Sequence, residues 1–227
     1  MVTDTVRASV ARRPAVLFDF DGTLANTGNA VVTTVRRVLG AHGFTPEEMG
    51  DLRRFIGPPL VDCFRDTCGF AQAEAERVAE EYRAVFAELG PADWPLMPGM
   101  AELVADLASA GKRLAVATSR KESSARFMVA ALGLTEFEAV IGMNEAVGRH
   151  TKADSVRDAL AALGLGADDA VLVGDTAHDI RGAHAEGVPC ICVTFGAGAA
   201  ADLRAAGADG ICTDAPALRA ALLGYDG

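Results

Sequence analysis

Two aspartates separated by one residue, Asp19 and Asp21, close an apolar run, Ala15-Val16-Leu17-Phe18, and stand directly before Gly22. A short apolar run ended by turn formers reads as a buried strand leaving a core. Residues i and i+2 of an extended chain point the same way, so both carboxylates project together from the strand's tip. Like charges that close repel one another unless a cation lies between them. Gly22 permits the tight turn that exposes them. A costly constellation at a strand tip points to a site. The plain alternative is a solvated Asp-Gly hairpin turn. No partner strand follows at hairpin distance, because Gly28 to Leu39 reads as helix.

Three further stretches can serve the same chemistry. Gly174-Asp175-Thr176-Ala177-His178-Asp179 follows a second apolar run and adds two carboxylates. Carboxylates with a backbone carbonyl and water suit a hard, oxygen-seeking cation, and Mg²⁺ is typically completed by substrate phosphate. Asp179 can equally be an acid favoured by a helix N-terminus, and His178 is expected to face solvent, the site being otherwise all oxygen. Thr118-Ser119 ends another strand ahead of a helix, where hydroxyls and backbone N–H groups hold phosphate oxygens. Ordinary N-capping by Ser119 is the competing reading. Thr151-Lys152-Ala153-Asp154 opens a helix with a capping-box pattern. Lys152 then lies in the first turn, where a cation opposes the helix dipole, a conflict that an anionic partner would resolve.

These residues need a scaffold that gathers strand ends. After residue 99, strands and helices alternate: Met100–Ala110 helix, Arg113–Thr118 strand, Glu122–Leu132 helix, Phe137–Ile141 strand, Lys152–Leu163 helix, Ala170–Asp175 strand, a helix containing Ile180–Glu186, then strands at Pro189–Val193 and Ala208–Cys212. Alternation of this kind builds an α/β fold, a doubly wound parallel sheet covered by helices on both faces. Ligands bind such sheets beyond the strands' C-terminal ends, where strand order reverses. Every residue singled out above falls at such an end or opens the helix that follows one. Residues 28 to about 90 differ: Val31, Val35, Val38 and Leu39, then Val78, Tyr82, Val85, Phe86 and Leu89, recur at helical spacing. The expected organisation is a core of residues 14–27 and 97–227, an inserted helical cap of residues 28–96, and a loose N-terminal tail of residues 1–13. Gly28 and Asn29 mark the outgoing linker, and the proline-rich stretch Pro91–Gly99 the return.

Composition narrows the partners. The chain has 227 residues and a net charge of −10, with no run rich in lysine and arginine. Nucleic acid and acidic membrane surfaces are poor partners for such a chain, and an anionic substrate needs a local cation to enter. The five cysteines form no metal-type pair; Cys190 and Cys192 fall on one side of a strand and read as reduced core residues of a cytoplasmic protein. No apolar run reaches membrane-spanning length, and residues 1–13 carry arginines without an apolar signal core.

Taken together, the motifs resemble those of the haloacid dehalogenase superfamily of phosphohydrolases. Asp19-x-Asp21-Gly22-Thr23-Leu24 is similar to the family's first motif, Thr118 to its second, Lys152 to its third, and Gly174-Asp175-x-x-x-Asp179 to its fourth. Ordered motifs are far more specific than any one alone. Met97-Pro98-Gly99 and Asp179-Ile180-x-Gly182-Ala183 resemble the phosphoglycolate phosphatase branch, and Phe55-Ile56-Gly57-Pro58-Pro59-Leu60 a loop of bacterial members called 5′-nucleotidases. Ala153 departs from the proline that many relatives carry after the lysine.

The resemblance implies a Mg²⁺-dependent phosphomonoesterase acting on a small phosphorylated metabolite, monomeric or homodimeric. Asp19 would attack phosphorus and Asp21 act as acid and base. Asp19, the Asp21 carbonyl and Asp175 would hold the metal, with Asp179 supporting, and Thr118, Ser119 and Lys152 would hold phosphate. The cap would close over the site and contact the leaving group. Its expected reader is the segment with Arg53, Arg54, Gly57 and Pro58, a stiff turn flanked by cations that would meet a carboxylate or second phosphate. A dehalogenase has no use for an acid/base at Asp21, and a phospho-accepting signalling module lacks a helical cap. A 5′-nucleotidase and a sugar phosphomutase remain as alternatives.

Overall fold

A computed structural model describes residues 2–224; Met1 and residues 225–227, assigned above to the tail and the core, lie outside the described residues. The centre is a parallel sheet of six strands in the order β3-β2-β1-β4-β5-β6. The strands are β1 Ala15–Phe18, β2 Arg113–Lys121, β3 Phe137–Met143, β4 Ala170–Gly174, β5 Cys190–Val193 and β6 Gly210–Cys212. Strands β1 and β4 are buried on both faces, as near-continuous apolar runs in parallel sheets are. Val16 and Phe18 pack into one core and Ala15 and Leu17 into the other, the period-two alternation of a strand. Strand order reverses between β1 and β4, which are hydrogen-bonded neighbours with Phe18 opposite Val173.

One face is covered by α6 (Met100–Ser109), α7 (Glu122–Ala131) and α11 (Ala215–Leu223). The other is covered by α8 (Lys152–Leu163), α9 (Ala177–Ala185) and α10 (Ala200–Ala205). Between β1 and α6 the described chain is helical: α2 Gly28–Ala41, α3 Pro46–Met49, a 3₁₀ turn at Leu52–Phe55, α4 Leu60–Cys68 and α5 Gln72–Phe86. Phe55, Phe64, Tyr82 and Phe86 form an aromatic cluster inside this block. The outgoing connection is tighter than the sequence suggests, since Gly28 and Asn29 are the first turn of α2 and form no linker.

The N-terminal segment is also a correction. Residues 4–11 are not a loose tail but a helix, α1 (Asp4–Ala11), whose N-cap Thr3 accepts from the Val6 N–H. Val10 is buried, and Lys112 Nζ donates to the Ala11 and Arg13 carbonyls at 2.5 and 2.6 Å. Arg13 in turn donates to the Ala167 and Ala170 carbonyls at 2.8 and 2.9 Å. The segment is held by side-chain bonds to distant carbonyls, which no local periodicity announces.

Candidate active site

The strand ends gather the carboxylates. Asp19 follows β1, Asp175 follows β4, and Asp179 lies in the first turn of α9. All are buried, and one oxygen from each lies within 4.8 Å of the others. Gly22 makes this approach possible: its φ is +78°, and a Cβ there would stand 2.2 Å from Asp175 Oδ2. Thr23 Oγ1 donates to Asp175 Oδ1 at 3.3 Å and the Ala197 N–H to its Oδ2 at 2.6 Å.

Lys152 enters this cluster from α8. Its side chain is 2% exposed, and Nζ lies 2.6 Å from both Asp19 Oδ1 and Asp179 Oδ1. The helix start is fixed by a capping box between Thr151 and Asp154, and this places the lysine at N1. The unfavourable position in the dipole is therefore offset by two carboxylates across the site. Asp179 is an acid at the helix N-terminus, one of the two readings of the sequence: Oδ2 accepts from the Thr176 N–H at 3.0 Å and Thr176 Oγ1 at 2.7 Å, while Oδ1 meets Lys152.

The electrostatics show too little positive charge for the carboxylates present. Burial pushes Asp19 up to about 7, more than Lys152 offsets, with Asp179 and Asp21 adding to the rise. Burial also holds Asp175 well above the usual carboxylate range, and Asp179 and Asp19 add to it. Burial would raise Asp179 as well, but Lys152 and Thr176 outweigh it and keep that carboxyl below its ordinary value. For Lys152 burial is outweighed by Asp179 and Asp19, so its ammonium is firmly charged. A converging set of hard oxygen donors with uncompensated negative charge fits a divalent cation.

Thr118 and Ser119 lie in β2, which runs three residues further than its apolar part suggests. The Thr118 carbonyl accepts from Ser155 Oγ at 3.0 Å, which ties it to α8. Ser119 does not cap α7, whose N-cap is Lys121; its Oγ is buried without a partner and it lines the cavity described next. His178 is not solvent-facing: it is half-buried, with Nε2 enclosed and unpartnered, and burial followed by Lys152 holds its imidazole below the usual value.

A cavity of about 440 Å³ lies between the helical block and the strand ends, lined among others by Asp21, Gly57, Pro58, Ser119, Tyr82 and Arg120. Gly57 has φ +100°, and a Cβ there would come within 2.9 Å of Thr176 Cγ2, so this turn rests against the loop that carries Asp175. Arg53 and Arg54 are placed elsewhere. Arg53 is 78% exposed and pairs with Asp51, and Arg54 donates to the Met49 carbonyl at 3.0 Å. The cation beside Asp21 is Arg120, whose Nε and Nη2 meet Asp21 Oδ2 and Oδ1 at 2.9 and 2.5 Å. Its guanidinium also lies 4.6 Å from the Phe86 ring centroid, on α5. Sequence reasoning stopped at Ser119 and missed this residue. The strand period gave no signal for it, because the pairing of β2 with β3 is irregular between Ala117 and Lys121.

The fold agrees with the comparisons. A family model described as haloacid dehalogenase-like hydrolase matches residues 16–193. The chain belongs to that family. It is 34% identical over 218 residues to a 5′-nucleotidase of Pseudomonas aeruginosa, covering 96% of this chain and 99% of that one. It is 30% identical to a phosphoglycolate phosphatase of Mesorhizobium japonicum over 81% of this chain and 84% of that protein. A tyrosine-protein kinase, PtkA, of Mycobacterium tuberculosis is 37% identical over 82% of this chain, which spans 63% of that protein's length. Among solved structures, a predicted phosphatase from Clostridium acetobutylicum superposes with a TM-score of 0.86 at 29% identity, covering 93% and 99% of the two chains. The protein is a phosphatase of the haloacid dehalogenase-like family, with an α/β core. No described helix is long and apolar enough to cross a membrane.

Proposed function

We propose that the protein is a cytoplasmic, Mg²⁺-dependent phosphomonoesterase that hydrolyses a small phosphorylated metabolite, in the manner of phosphoglycolate phosphatase, through an aspartyl-phosphate on Asp19. The observation that carries this reading is the buried Asp19–Lys152–Asp179 chain beside Asp175 at the reversal point of the sheet.

An oxygen of Asp19 attacks phosphorus as the bond from phosphorus to the leaving oxygen breaks. Asp21 gives its proton to that oxygen, and the alcohol departs. Asp21 then takes a proton from water as the water oxygen bonds to phosphorus and the Asp19–phosphorus bond breaks, which releases phosphate and restores Asp19. Thr118, Ser119 and Lys152 hold the phosphoryl oxygens; the unpartnered Ser119 hydroxyl supports this assignment. Asp19, the Asp21 carbonyl and Asp175 would hold the cation, with Asp179 supporting. That cation, when bound, offsets the repulsion between carboxylates and phosphate. Residues 28–96 act as a cap that closes over the cavity and excludes water.

A second reading, 5′-nucleotidase, is favoured by the relative of that name that matches nearly the whole chain. Phosphate release from a panel of phosphoglycolate, sugar phosphates, nucleoside monophosphates and p-nitrophenyl phosphate tests the proposal. Turnover that requires Mg²⁺ and vanishes in Asp19→Asn is expected. Wild-type rates in Asp19→Asn, or full activity in excess chelator, would refute it.

A further inference from the structure

The bidentate pair between Arg120 and Asp21 occupies both oxygens of the residue proposed to move protons. Each carboxylate oxygen keeps a second lone pair, but while the fork holds both oxygens the carboxyl plane is fixed on the guanidinium and cannot turn to give a proton to the leaving oxygen. The pair is also enclosed, with side chains 10% and 13% exposed. Turnover therefore requires Asp21 to leave Arg120. A buried guanidinium stripped of its anion is strongly unfavourable, so separation needs a replacement anion.

The other cations that line the cavity are already committed. Arg83 and Lys121 both pair with Glu80, at 2.6 and 3.1 Å, and Arg149 is held by Glu122 and by Asp158 at 2.8 Å. Arg120 alone among these is paired with Asp21. Its planar fork holds a carboxylate bidentately now, the geometry that suits another carboxylate in its place. It has room to turn, since it also lines a neighbouring cavity of about 430 Å³ with Phe86 and Trp94.

We propose that Arg120 is the specificity-determining residue, exchanging Asp21 for a carboxylate on the leaving group of the substrate. The exchange seats the substrate's carboxylate on the guanidinium and frees Asp21 to face the ester oxygen. Recognition of the leaving group and release of the acid/base are then one event. Phosphate esters of neutral alcohols bind without supplying that anion, and Asp21 stays held. This inference rests on the phosphomonoesterase reading and on Asp21 as its acid/base.

The test compares 2-phosphoglycolate with its amide, 2-phosphoglycolamide, which matches it in size but lacks the carboxylate. In wild-type protein with Mg²⁺, kcat/KM is expected to favour the acid by at least about tenfold, the scale of one charge-assisted hydrogen bond. In Arg120→Met the acid loses that advantage, the ratio falls to within about threefold of one, and the amide is hydrolysed faster than by wild type because Asp21 is no longer held. Arg120→Lys retains part of the preference, because a point charge replaces the fork. A wild-type ratio near one overturns the proposal without any variant. So does an equal loss on both substrates in an Arg120→Met protein with wild-type thermal unfolding. If wild-type protein hydrolyses neither these nor p-nitrophenyl phosphate, or if Asp21→Asn is fully active, the phosphomonoesterase reading fails instead.

Discussion

Replacing Lys152 by Met removes the ammonium that lies 2.6 Å from both Asp19 and Asp179 while keeping a chain of similar volume. Breaking a buried pair by deleting one partner costs about 3–5 kcal/mol, because the remaining charge is left uncompensated. For a chain of this size that corresponds to a fall in Tm of roughly 6–20 °C. The loss should depend on pH. Asp19 already titrates near 7 in the folded protein against an ordinary value of 3.8. Its folded value lies above its unfolded one, so the folded state gains stability as pH falls through 7 and the group takes up a proton. Without Lys152 that value rises further, and a proton at low pH replaces the lost charge. Thermal unfolding of metal-free Lys152→Met and wild type at pH 8 and pH 5.5 checks this. The difference should be large at pH 8 and clearly smaller at pH 5.5. An equal Tm for the two proteins at pH 8 would refute the claim that the lysine neutralises the cluster, as would a deficit that grows on acidification.

Two further outcomes follow from the same site. Metal binding must displace protons from the raised carboxyls of Asp19 and Asp175, so the Tm increase produced by saturating wild-type protein with Mg²⁺ should be greater at pH 8 than at pH 6; no difference between the two would remove these groups from the metal site. Gly57→Ala combines a positive φ with a contact 2.9 Å from Thr176 Cγ2, so it should lower stability by roughly 1 kcal/mol or more and shift KM for the phosphorylated substrate, measured by unfolding and steady-state kinetics; unchanged values in both would make that turn a passive connector.

Much of the core was legible because a parallel sheet writes itself plainly in sequence. Ala15–Phe18 and Ala170–Gly174 are unbroken apolar runs, and each carries its aspartate at the strand's end. The capping box at Thr151 marked Lys152 as a cation opposing a helix dipole, but the anions that offset it are the chain's own Asp19 and Asp179, brought from distant positions, and not the partner that the sequence suggested. Local pattern failed where long-range contacts decide. Arg13 donates to distant carbonyls and the distant Lys112 donates to carbonyls of the N-terminal segment, and neither shows a periodicity. His178 follows an all-oxygen motif but is enclosed by its neighbours. Arg53 and Arg54 flank a turn that does reach the cavity through Gly57 and Pro58, yet their side chains leave it. Arg120 was hidden because its partner, Asp21, lies 99 positions away in the chain.

Acid quenching of the enzyme during turnover, followed by mass spectrometry of its peptides, tests the central claim most directly. A phosphoryl group should be found on the peptide that contains Asp19, should disappear as substrate is exhausted, and should be absent from Asp19→Asn. Steady phosphate release with no phosphoryl group on that peptide, or with the group on a different residue, would contradict the account.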